Sequence, residues 1–446
     1  MDKIDIDWPL DVELCYNILK ENSYESYIVG GCVRDSLLGL IPKDWDMCTN
    51  ATPEQIVDCF KDKFKIIETG IKHGTVTLVM SSMNIEITTY RTESDYEDNR
   101  HPTNVNFVSN LFEDLKRRDF TINAMAYNKE VGLVDPYGGT LDLKLRRIKC
   151  VGVAEERFQE DALRILRALR FASVLNFDIE NETSMAIHKL YPLLSDISAE
   201  RIQTELVKFI RGRMYVLSQK YVDVITYIFP PLLRCVYQEQ GNKHALDVYK
   251  HMMFATEMAK EDDISLALFF HDIGKPNCYD DRSGVIHFPK HNKVSAELTK
   301  DIMKKLKFSN KQIELTYKLI LYHCEKLVDI DDYQMKLLLN KCGKKVLQKL
   351  LTMQRYDVCA KFNPCISVYV DKNMEAQKQL ERILNNKEPY RLSDLVINGN
   401  DVCDVLNIEP GPDVRIVLEC CLDKVMKGEL KNVRKDILEY LRYSYE

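Results

Sequence analysis

The sequence predicts an α+β protein, in which a head built on a small mixed sheet with helices is followed by a longer all-helical region. Short β-rich runs bounded by turn residues are confined to about the first 140 residues. After about Lys149 these strand signals fade, and amphipathic helical patterns dominate the rest of the chain. A chain of 446 residues is also long enough for roughly two to four domains.

Four runs in the head have the composition of strands, and two have that of helices. The predicted strands are SYIVGG, FKIIET, GTVTLVM and NIEITTY, while TPEQIVDCFK and DFTINAMAY are predicted helices. Thr52 is suited to cap the first of these helices, because Pro53 follows at the first helical position. The polar segment Arg91–Phe107 has no period, and we expect a mobile, functional loop there.

Strong helical patterns follow the head. Residues Glu156–Leu175 predict one amphipathic helix, and Ser198–Gly212 predicts another that begins at a serine cap and ends at glycine. The run FPPLL at Phe229–Leu233 marks a break. These signals divide the chain into four predicted parts, namely a head (1–148), a neck (149–213), a helical body (214–333) and a helical tail (334–446).

Composition narrows the class of protein. Apolar residues make up 45% and charged residues 29%, which is typical of a soluble globular protein, and no apolar run approaches the length of a membrane span. The N-terminus has no signal-peptide core, so we expect a cytoplasmic protein without a membrane partner. The 14 cysteines form no paired CxxC sets, which favours free thiols over disulfides or zinc sites.

Charge is distributed unevenly along the chain. The net charge of −6 argues by itself against a nucleic-acid partner. Positive residues are nevertheless concentrated in one third of the chain, in Lys116–Phe120, in Lys144–Lys149 and at Arg164, Arg167 and Arg170. Phosphate binding depends on local clusters of this kind more than on net charge, so the sequence does not exclude RNA or a nucleotide as a partner.

The stretch GGCVRDSLLGLIPKDWDMCT places Asp44 and Asp46 one residue apart, beyond a glycine turn. On a strand, residues i and i+2 point to the same face, where two carboxylates repel each other unless a cation lies between them. Alone, such a pair is more often part of a solvated loop. Here Gly31 and the start of the next helix leave room for a triphosphate, and Arg34 can reach a phosphate. Glu86 on a neighbouring strand would complete the ligands of a nucleotidyl-transfer centre that uses Mg²⁺.

Seven motifs carry a resemblance to a known family. They occur in the order GGCVRDSLLG, KDWDMCTNATPEQI, HGTV, IEITTYR, LKRRDFTINAMAY, DPYGG and EDALRILRALRFA. They resemble the class II tRNA nucleotidyltransferases (CCA-adding enzymes) and the related bacterial poly(A) polymerases, from Tyr27 to Gly212 without a gap. The resemblance implies a polymerase-beta-like nucleotidyltransferase head, followed by an all-α neck, a body with an HD domain and a tail.

The resemblance also implies a role for each matching residue. Asp44 and Asp46 would bind two Mg²⁺ ions in the head, with Glu86 as the expected third catalytic carboxylate and Asp119 as the alternative. The implied nucleotide-binding residues are Gly31, Arg34, Arg118, Asp161, Arg164, Arg167 and Arg170.

The pattern EDALRILRALR indicates how a protein could choose C and A without a template. On a helix, Asp161, Arg164 and Arg167 share one face, because they are three residues apart. An aspartate accepts a hydrogen bond from the exocyclic amine of cytosine or adenine, and an arginine donates to the neighbouring ring nitrogen, whereas uracil and guanine present the wrong pattern. A polar stripe on a core helix is the alternative interpretation. Segment Arg91–Phe107 is a candidate lid that reshapes the pocket between C and A addition.

Five of the nine histidines lie in one block of the chain. That block contains His251, His271, Asp272, His287, His291 and His323. The run HDIGKP resembles an HD-domain metal site, for which His251, His271, Asp272 and His291 are the candidate ligands of a transition metal or Mg²⁺. The alternative is a purely helical body in which His251 is a core histidine.

The leading interpretation is a template-independent enzyme that adds and repairs the 3′-terminal CCA of tRNA. Its substrates would be CTP, ATP and the tRNA 3′ end, with contacts to the acceptor/T arm. Addition of CC only, addition of A only, and poly(A) polymerase activity are alternatives within the class. An HD-domain phosphohydrolase is the alternative from a different class, and the intact pair of Asp44 and Asp46 argues against it. A non-catalytic RNA-binding module is disfavoured, because no stacking aromatic pattern stands out.

Overall fold

The structure is a computed structural model of the chain and describes residues 5–96, 102–241, 245–361 and 366–444. The chain divides into two compact units, Met1–Pro230 and Pro231–Glu446. The boundary between them falls within the break that the sequence predicts at Phe229–Leu233. The finer division into head, neck, body and tail stays a prediction.

The first unit contains the predicted small mixed sheet. Its strands are β1 (Ser26–Val29), β2 (Trp45–Thr49), β3 (Lys65–Ile67), β4 (Thr75–Val79), β5 (Asn84–Thr89), β6 (Arg91–Tyr96), β7 (Pro102–Phe107), β8 (Ala126–Asn128), β9 (Gly132–Val134), β10 (Arg147–Ile148) and β11 (Asp178–Ile179). The main sheet has the order β3-β4-β5-β2-β1-β8-β9, in which only β2 and β5 pair in parallel. Separate two-stranded sheets are formed by β6 with β7 and by β10 with β11.

Side chains along β5 alternate between the two faces of the main sheet. Ile85, Ile87 and Thr89 are buried, whereas Glu86 between them is exposed. Because side chains alternate between the two faces of a strand, the apolar residues pack into the core and the carboxylate is directed to the opposite face. The four predicted strands SYIVGG, FKIIET, GTVTLVM and NIEITTY are confirmed by β1, β3, β4 and β5.

The helices of the first unit surround this sheet and continue beyond it. They are α1 (Leu10–Glu21), α2 (Gly31–Leu37), α3 (Pro53–Phe60), α4 (Leu111–Lys116), α5 (Gly139–Lys144), α6 (Ala154–Glu160), α7 (Leu163–Leu175), α8 (Asn181–Leu190), α9 (Ala199–Phe209), α10 (Tyr215–Lys220), α11 (Val222–Ile228) and α12 (Pro230–Leu233), which reaches into the second unit. The predicted cap of α3 is confirmed, since Thr52 and Gln55 form a reciprocal capping box.

The prediction of a helix over DFTINAMAY is wrong. A single 3₁₀ turn at Thr121–Asn123 is followed by β8, whose Ala126 and Tyr127 pair with Val29 and Ile28 of β1. Alanine and methionine favour helices locally, but here the ladder of the central sheet overrides that preference.

The single helix predicted over Glu156–Leu175 is also wrong, because it is broken at Asp161. The backbone of Asp161 is extended, with φ −144° and ψ 101°, and its Oδ1 accepts a hydrogen bond of 3.0 Å from the amide of Leu163. Aspartate competes with helical hydrogen bonding in this way, so α6 ends and α7 begins around it. Asp161 therefore does not share a continuous helical face with Arg164 and Arg167.

The segment predicted to be a loop, Arg91–Phe107, contains the antiparallel strands β6 and β7 instead. Its residues 97–101 lie outside the described residues. The sequence here lacks apolar alternation, so the pairing of the two backbones leaves no periodic signal. The proposed mobility and lid function of this segment stay predictions.

The second unit is helical, as predicted. Its helices are α13 (Val248–Met258), α14 (Asp262–Phe270), α15 (His291–Lys305), α16 (Asn310–Tyr322), α17 (Asp332–Cys342), α18 (Lys344–Cys359), α19 (Ile366–Asn385), α20 (Gly399–Leu406), α21 (Pro412–Lys427) and α22 (Arg434–Ser444). Within the described part of the chain, none of the helices combines the length and apolarity needed to cross a bilayer. The cysteines of that part are free thiols, which confirms the prediction against disulfides.

Candidate active site

A glycine turn forms one wall of a polar cavity in the first unit. Strand β1 ends at Val29, and Gly30 turns the chain with φ +80° before α2 begins at Gly31. A Cβ atom at Gly30 would lie 2.9 Å from Nη1 of Arg118. Glycine is therefore required both by the positive φ and by the close approach of this guanidinium. Because α2 has only seven residues, the arginines rather than a long helix supply the positive potential here.

Carboxylates occupy the adjacent strands. Asp46 on β2 is the register partner of Glu86 on the parallel strand β5, and Asp44 lies two residues before Asp46. Withdrawal from water and, to a lesser extent, the charge of Glu86 raise the pKa of Asp46 to about 6, although Arg118 partly opposes both effects. The sequence prediction that Glu86 faces the aspartate pair thus agrees with the register of the sheet.

These carboxylates fit a divalent cation. Oxygen ligands are those that Mg²⁺ prefers, and the charge of Glu86 lies close enough to Asp46 to contribute to its raised pKa, after desolvation. Among the described residues, the compact groups of three ligand atoms within 4.8 Å of one another both lie in the second unit.

Arginines line the cavity, whose volume is about 460 Å³. Seven arginines and three aspartates contribute, and the guanidinium groups are donors of the kind that hold a triphosphate. The arginines are Arg34, Arg117, Arg118, Arg164, Arg167, Arg170 and Arg201, and the aspartates are Asp46, Asp119 and Asp161. Nε of Arg118 and Nη1 of Arg201 are buried and have no hydrogen-bond acceptor in the described part of the chain.

Several of these arginines are held in place by the protein. Three guanidinium groups lie close to the aromatic ring of Phe171. The Cζ atoms of Arg34, Arg167 and Arg170 are 5.2, 5.4 and 3.9 Å from the ring centre. Nη1 of Arg34 also donates to Oδ1 of Asn123 at 2.6 Å. Fixed cations lose little entropy when a phosphate binds, which makes the cavity a preorganised anion site.

Asp119, the alternative third carboxylate, is already engaged. Its Oδ2 lies 2.7 Å from Nε of Arg167, and its Oδ1 accepts a hydrogen bond of 3.1 Å from Asn123. Burial would raise the pKa of Asp119, but Arg167 and Asn123 outweigh it and lower the pKa to about 2. This geometry favours Glu86 as the third carboxylate and gives Asp119 the role of positioning Arg167.

The two residues predicted to recognise the base, Asp161 and Arg164, are already hydrogen-bonded to different partners. Nη1 of Arg164 donates to Oε2 of Glu160 at 2.7 Å, and its Nη2 donates to the carbonyl of Arg117 at 3.0 Å. Asp161 instead pairs with Arg201, whose Nη2 lies 2.7 Å from its Oδ2. The sequence analysis missed Arg201, because nothing in the pattern of α9 links it to a residue 40 positions earlier. It also missed Arg117, Asn123 and Phe171 as residues of this cavity.

The histidine block forms two groups rather than one. Ligand atoms of His251, His271 and Asp272 lie within 4.8 Å of one another, but His291 groups with His323 and Cys324. Nε2 of His291 nevertheless lies 3.2 Å from Oδ1 of Asp272, so the predicted set of His251, His271, Asp272 and His291 lies around one carboxylate. His287 is exposed, and its backbone pairs with Asp280.

Comparison with known proteins defines the class first. Residues 26–149 match the family described as the Poly A polymerase head domain, and residues 176–218 match an RNA and SrmB- binding site of polymerase A. Residues 289–441 match a second domain of tRNA nucleotidyltransferases. The head and cavity described above thus belong to a nucleotidyltransferase.

The nearly full-length relatives narrow this class. The chain is 33% identical to the CCA-adding enzyme of Bacillus cytotoxicus over 421 residues, covering 94% of each protein, and 32% identical to that of Streptococcus mutans over 428 residues, covering 95% of this chain and 94% of that one. It is 53% identical to the CCA-adding enzyme of Lactobacillus delbrueckii over 195 residues, a match that spans about half of that relative (48%) and 44% of this chain. The chain belongs to the CCA-adding enzyme family.

Solved structures agree with this assignment. The crystal structure of the Bacillus stearothermophilus CCA-adding enzyme in complex with CTP superposes with a TM-score of 0.72 at 28% identity, covering 97% of this chain and 96% of that one. The Thermotoga maritima CCA-adding enzyme complexed with tRNA_CCA shares the fold, with a TM-score of 0.59 at 20% identity, covering 100% and 97% of the two chains.

Proposed function

We propose that this protein adds and repairs the 3′-terminal CCA of tRNA, using CTP and ATP and releasing pyrophosphate, without a nucleic-acid template. The observation that carries the proposal is the cavity in which seven arginines lie beside Asp46 and its register partner Glu86. Its guanidinium donors suit a triphosphate, and its edge of carboxylates suits the site of phosphoryl attack. The relatives named CCA-adding enzymes support the same activity.

Metal binding is the task of the carboxylates. Asp44, Asp46 and Glu86 would hold two Mg²⁺ ions, which when bound lower the pKa of the attacking RNA 3′-hydroxyl and neutralise charge on the leaving pyrophosphate. Arg118 and Arg34 would hold the triphosphate, since both reach the cavity next to the glycine turn. Gly31 leaves the backbone open beside them.

Selection of C and A would be made by an aspartate and an arginine. Asp161 accepts from the exocyclic amine of cytosine or adenine, and a guanidinium donates to the adjacent ring nitrogen. Arg164 is the arginine that the family motif supplies, and Arg201, bound to Asp161, is a second one that can position its carboxylate. Arg167 and Arg170 complete the wall of the cavity.

The remaining chain would serve the tRNA. In this proposal residues 1–148 form the catalytic head, 149–213 the neck with the nucleotide-selecting helices, 214–333 the helical body and 334–446 a tail that contacts the acceptor/T arm. A tRNA-processing enzyme of this kind would work in the cytoplasm. Phosphate contacts by basic residues would make the binding of tRNA sensitive to salt.

The proposal is tested with tRNA transcripts that end at the discriminator base, at -C and at -CC. Each transcript is incubated with Mg²⁺ and with CTP, ATP, UTP or GTP singly, and with CTP plus ATP. Addition of C, C and then A, with a stop after A, is the expected result. Termination after CC, or addition only to the -CC transcript, would mean that the work is split with another enzyme. A long A tract would mean a poly(A) polymerase.

A further inference from the structure

A buried carboxylate lies behind the arginines of the nucleotide cavity. Asp114 on α4 is 0% exposed and does not itself line the cavity. Its neighbours on the buried face of the helix, Leu111 and Leu115, pack into an apolar cluster with Val29 and Cys48. A charged side chain in such surroundings is costly unless it is paired, so its partners indicate what the carboxylate does.

The partners of Asp114 are two arginines of the cavity. Its Oδ1 accepts hydrogen bonds from Nε and Nη2 of Arg117 at 3.0 and 2.7 Å, and its Oδ2 accepts from Nη2 of Arg118 at 3.3 Å. Burial alone would raise the pKa of Asp114, but the charges of Arg117 and Arg118 outweigh it and lower the pKa. The carboxylate is therefore ionised at neutral pH, and each of its oxygens holds a different arginine.

The guanidinium of Arg118 is fixed at two points. Its Nη2 is bound to Asp114, and its Nη1 lies so close to Gly30 that a Cβ atom there would be 2.9 Å away. The side chain of Arg118 is 20% exposed, and it lines the nucleotide cavity. The direction in which this guanidinium meets a bound phosphate therefore depends on the carboxylate behind it.

Asp46 is a competing partner for the same arginine. Burial would lower the pKa of Arg118, but the charge of Asp114 and, to a lesser extent, that of Asp46 raise it. An arginine that moved towards Asp46 would neutralise a candidate metal ligand and would leave the triphosphate. The hydrogen bond to Asp114 opposes this movement, because it engages one amino group of the guanidinium elsewhere.

We propose that Asp114 is a positioning residue for the triphosphate, which holds the guanidinium of Arg118 in the cavity without touching the nucleotide. This inference rests on the proposed function, which gives Arg118 a triphosphate to bind. The two residues predicted to recognise the base are held by other contacts, Asp161 by Arg201 and Arg164 by a glutamate. Loss of the Asp114 charge should therefore weaken binding of the phosphates and leave recognition of the base unchanged.

The test compares the binding of CTP and of CMP to the full-length protein with Mg²⁺, measured by calorimetric titration. Asp114→Asn keeps the shape of the side chain and removes its charge. We expect the Kd for CTP to rise about tenfold and that for CMP to change less than about twofold, because CMP lacks the phosphates that Arg118 holds. Glu113→Gln, at the adjacent exposed acid of α4, is the matched control and should change neither Kd.

A second variant and a double variant separate positioning from general stability. Asp114→Glu keeps the charge but displaces the carboxylate by one methylene group, so it should also weaken CTP binding in a protein whose circular dichroism spectrum is unchanged. Arg118→Lys should weaken CTP binding by itself. Adding Asp114→Asn to Arg118→Lys should cause little further loss, since the carboxylate acts through the arginine.

Several outcomes would overturn the inference. These are CTP binding at the wild-type level by folded Asp114→Asn, equal weakening of CTP and CMP, and full additivity with Arg118→Lys. Failure of both Asp114 variants to fold would assign the carboxylate to stability and overturn the positioning role as well. If the wild type binds CTP and adds CCA while Asp114→Asn does the same equally well, the inference alone fails. A wild type that binds no CTP would overturn the proposed function and this inference together.

Discussion

Asp46 is the residue of the head to which we assign metal binding with the clearest electrostatic signature. It lies opposite Glu86 and two residues from Asp44, with Arg118 as the nearby cation. Burial at the cavity and the charge of Glu86 raise its pKa to about 6, which brings its titration close to neutral pH. A proton and a metal ion therefore compete for the same carboxylate.

This competition predicts the pH dependence of the requirement for Mg²⁺. The raised pKa means that Asp46 is protonated below about pH 6 and ionised above it, so Mg²⁺ binding should weaken as pH falls through that value. The half-saturating Mg²⁺ concentration for nucleotide addition should rise up to roughly tenfold for each pH unit below about 6. Titrations of Mg²⁺ at a series of pH values measure it, with Asp46→Asn as the inactive control. A half-saturating concentration that does not change between acidic and neutral pH would contradict the assignment.

Arg201 offers a second test at this scale. It pairs with Asp161 at 2.7 Å and lines the nucleotide cavity. Arg201→Ala removes a charged hydrogen bond, so kcat/KM for CTP and ATP should fall roughly ten- to a hundredfold, as expected for about 1.5–3 kcal/mol. Lys208→Ala, at an exposed position of the same helix, should change little. Equal activity of the two variants would show that Arg201 does not contribute to nucleotide binding or catalysis.

The site residues that could be predicted from the sequence are those that belong to a local sequence pattern. Asp46 lies on β2 and Glu86 alternates with buried isoleucines on β5, so their pairing could be predicted from the period of two, while Asp44 lies just before β2. Arg201 and Asp357, which pairs with His251, could not, because each joins its cluster only through tertiary packing of distant helices. No residue spacing within α9 or α18 indicates that Arg201 or Asp357 belongs to a functional site.

Among the elements, α7 contacts the head partly through the buried ion pair of Arg167 with Asp119. Asp119 is 7% exposed and holds the guanidinium of Arg167, which is the reason its pKa is lowered to about 2. The stabilisation from this lowered pKa is complete above the ordinary aspartate pKa and is lost only as pH falls towards 2. At neutral pH the contact is therefore fully formed.

A double-mutant cycle measures that contact. Asp119→Ala leaves Arg167 without its carboxylate and should lower the free energy of unfolding of the first unit by about 2–3 kcal/mol, less than for a fully buried pair because Arg167 is partly exposed. Arg167→Met combined with Asp119→Ala should cost less than the sum of the two single changes. Denaturant unfolding followed by circular dichroism gives the four values. Strict additivity would show that the two side chains do not interact.

Local chemistry predicted some elements and failed for others. The capping box of Thr52 and Gln55 and the alternation in β5 gave correct elements, because in each the signal lies within a few residues. The stretch DFTINAMAY has a local composition that favours a helix, and the sequence does not reveal its pairing with β1, which is distant along the chain. The break at Asp161 was missed, since a capping aspartate in the middle of an amphipathic pattern resembles an ordinary polar position.

For the whole molecule, the two units differ in the side chains that they offer as candidate metal ligands. The carboxylates of the first unit are hard oxygen ligands, whereas the second unit collects histidines and a cysteine around Asp272. Chelation followed by the return of Mg²⁺ alone should therefore restore nucleotide addition while the second unit stays free of metal. Activity assays and elemental analysis on the same sample measure both. Recovery of activity only after Zn²⁺ is returned would contradict this separation.

The central claim is that the head carboxylates, and not the histidines of the second unit, carry nucleotidyl transfer. The most direct measurement gives labelled ATP and Mg²⁺ to a tRNA transcript ending in -CC, with wild-type protein, Asp46→Asn and Cys324→Ser compared in single-turnover reactions. The account predicts that the wild type and Cys324→Ser each add one A and stop, and that Asp46→Asn adds none. Addition by folded Asp46→Asn at the wild-type rate, or its loss in folded Cys324→Ser, would contradict it.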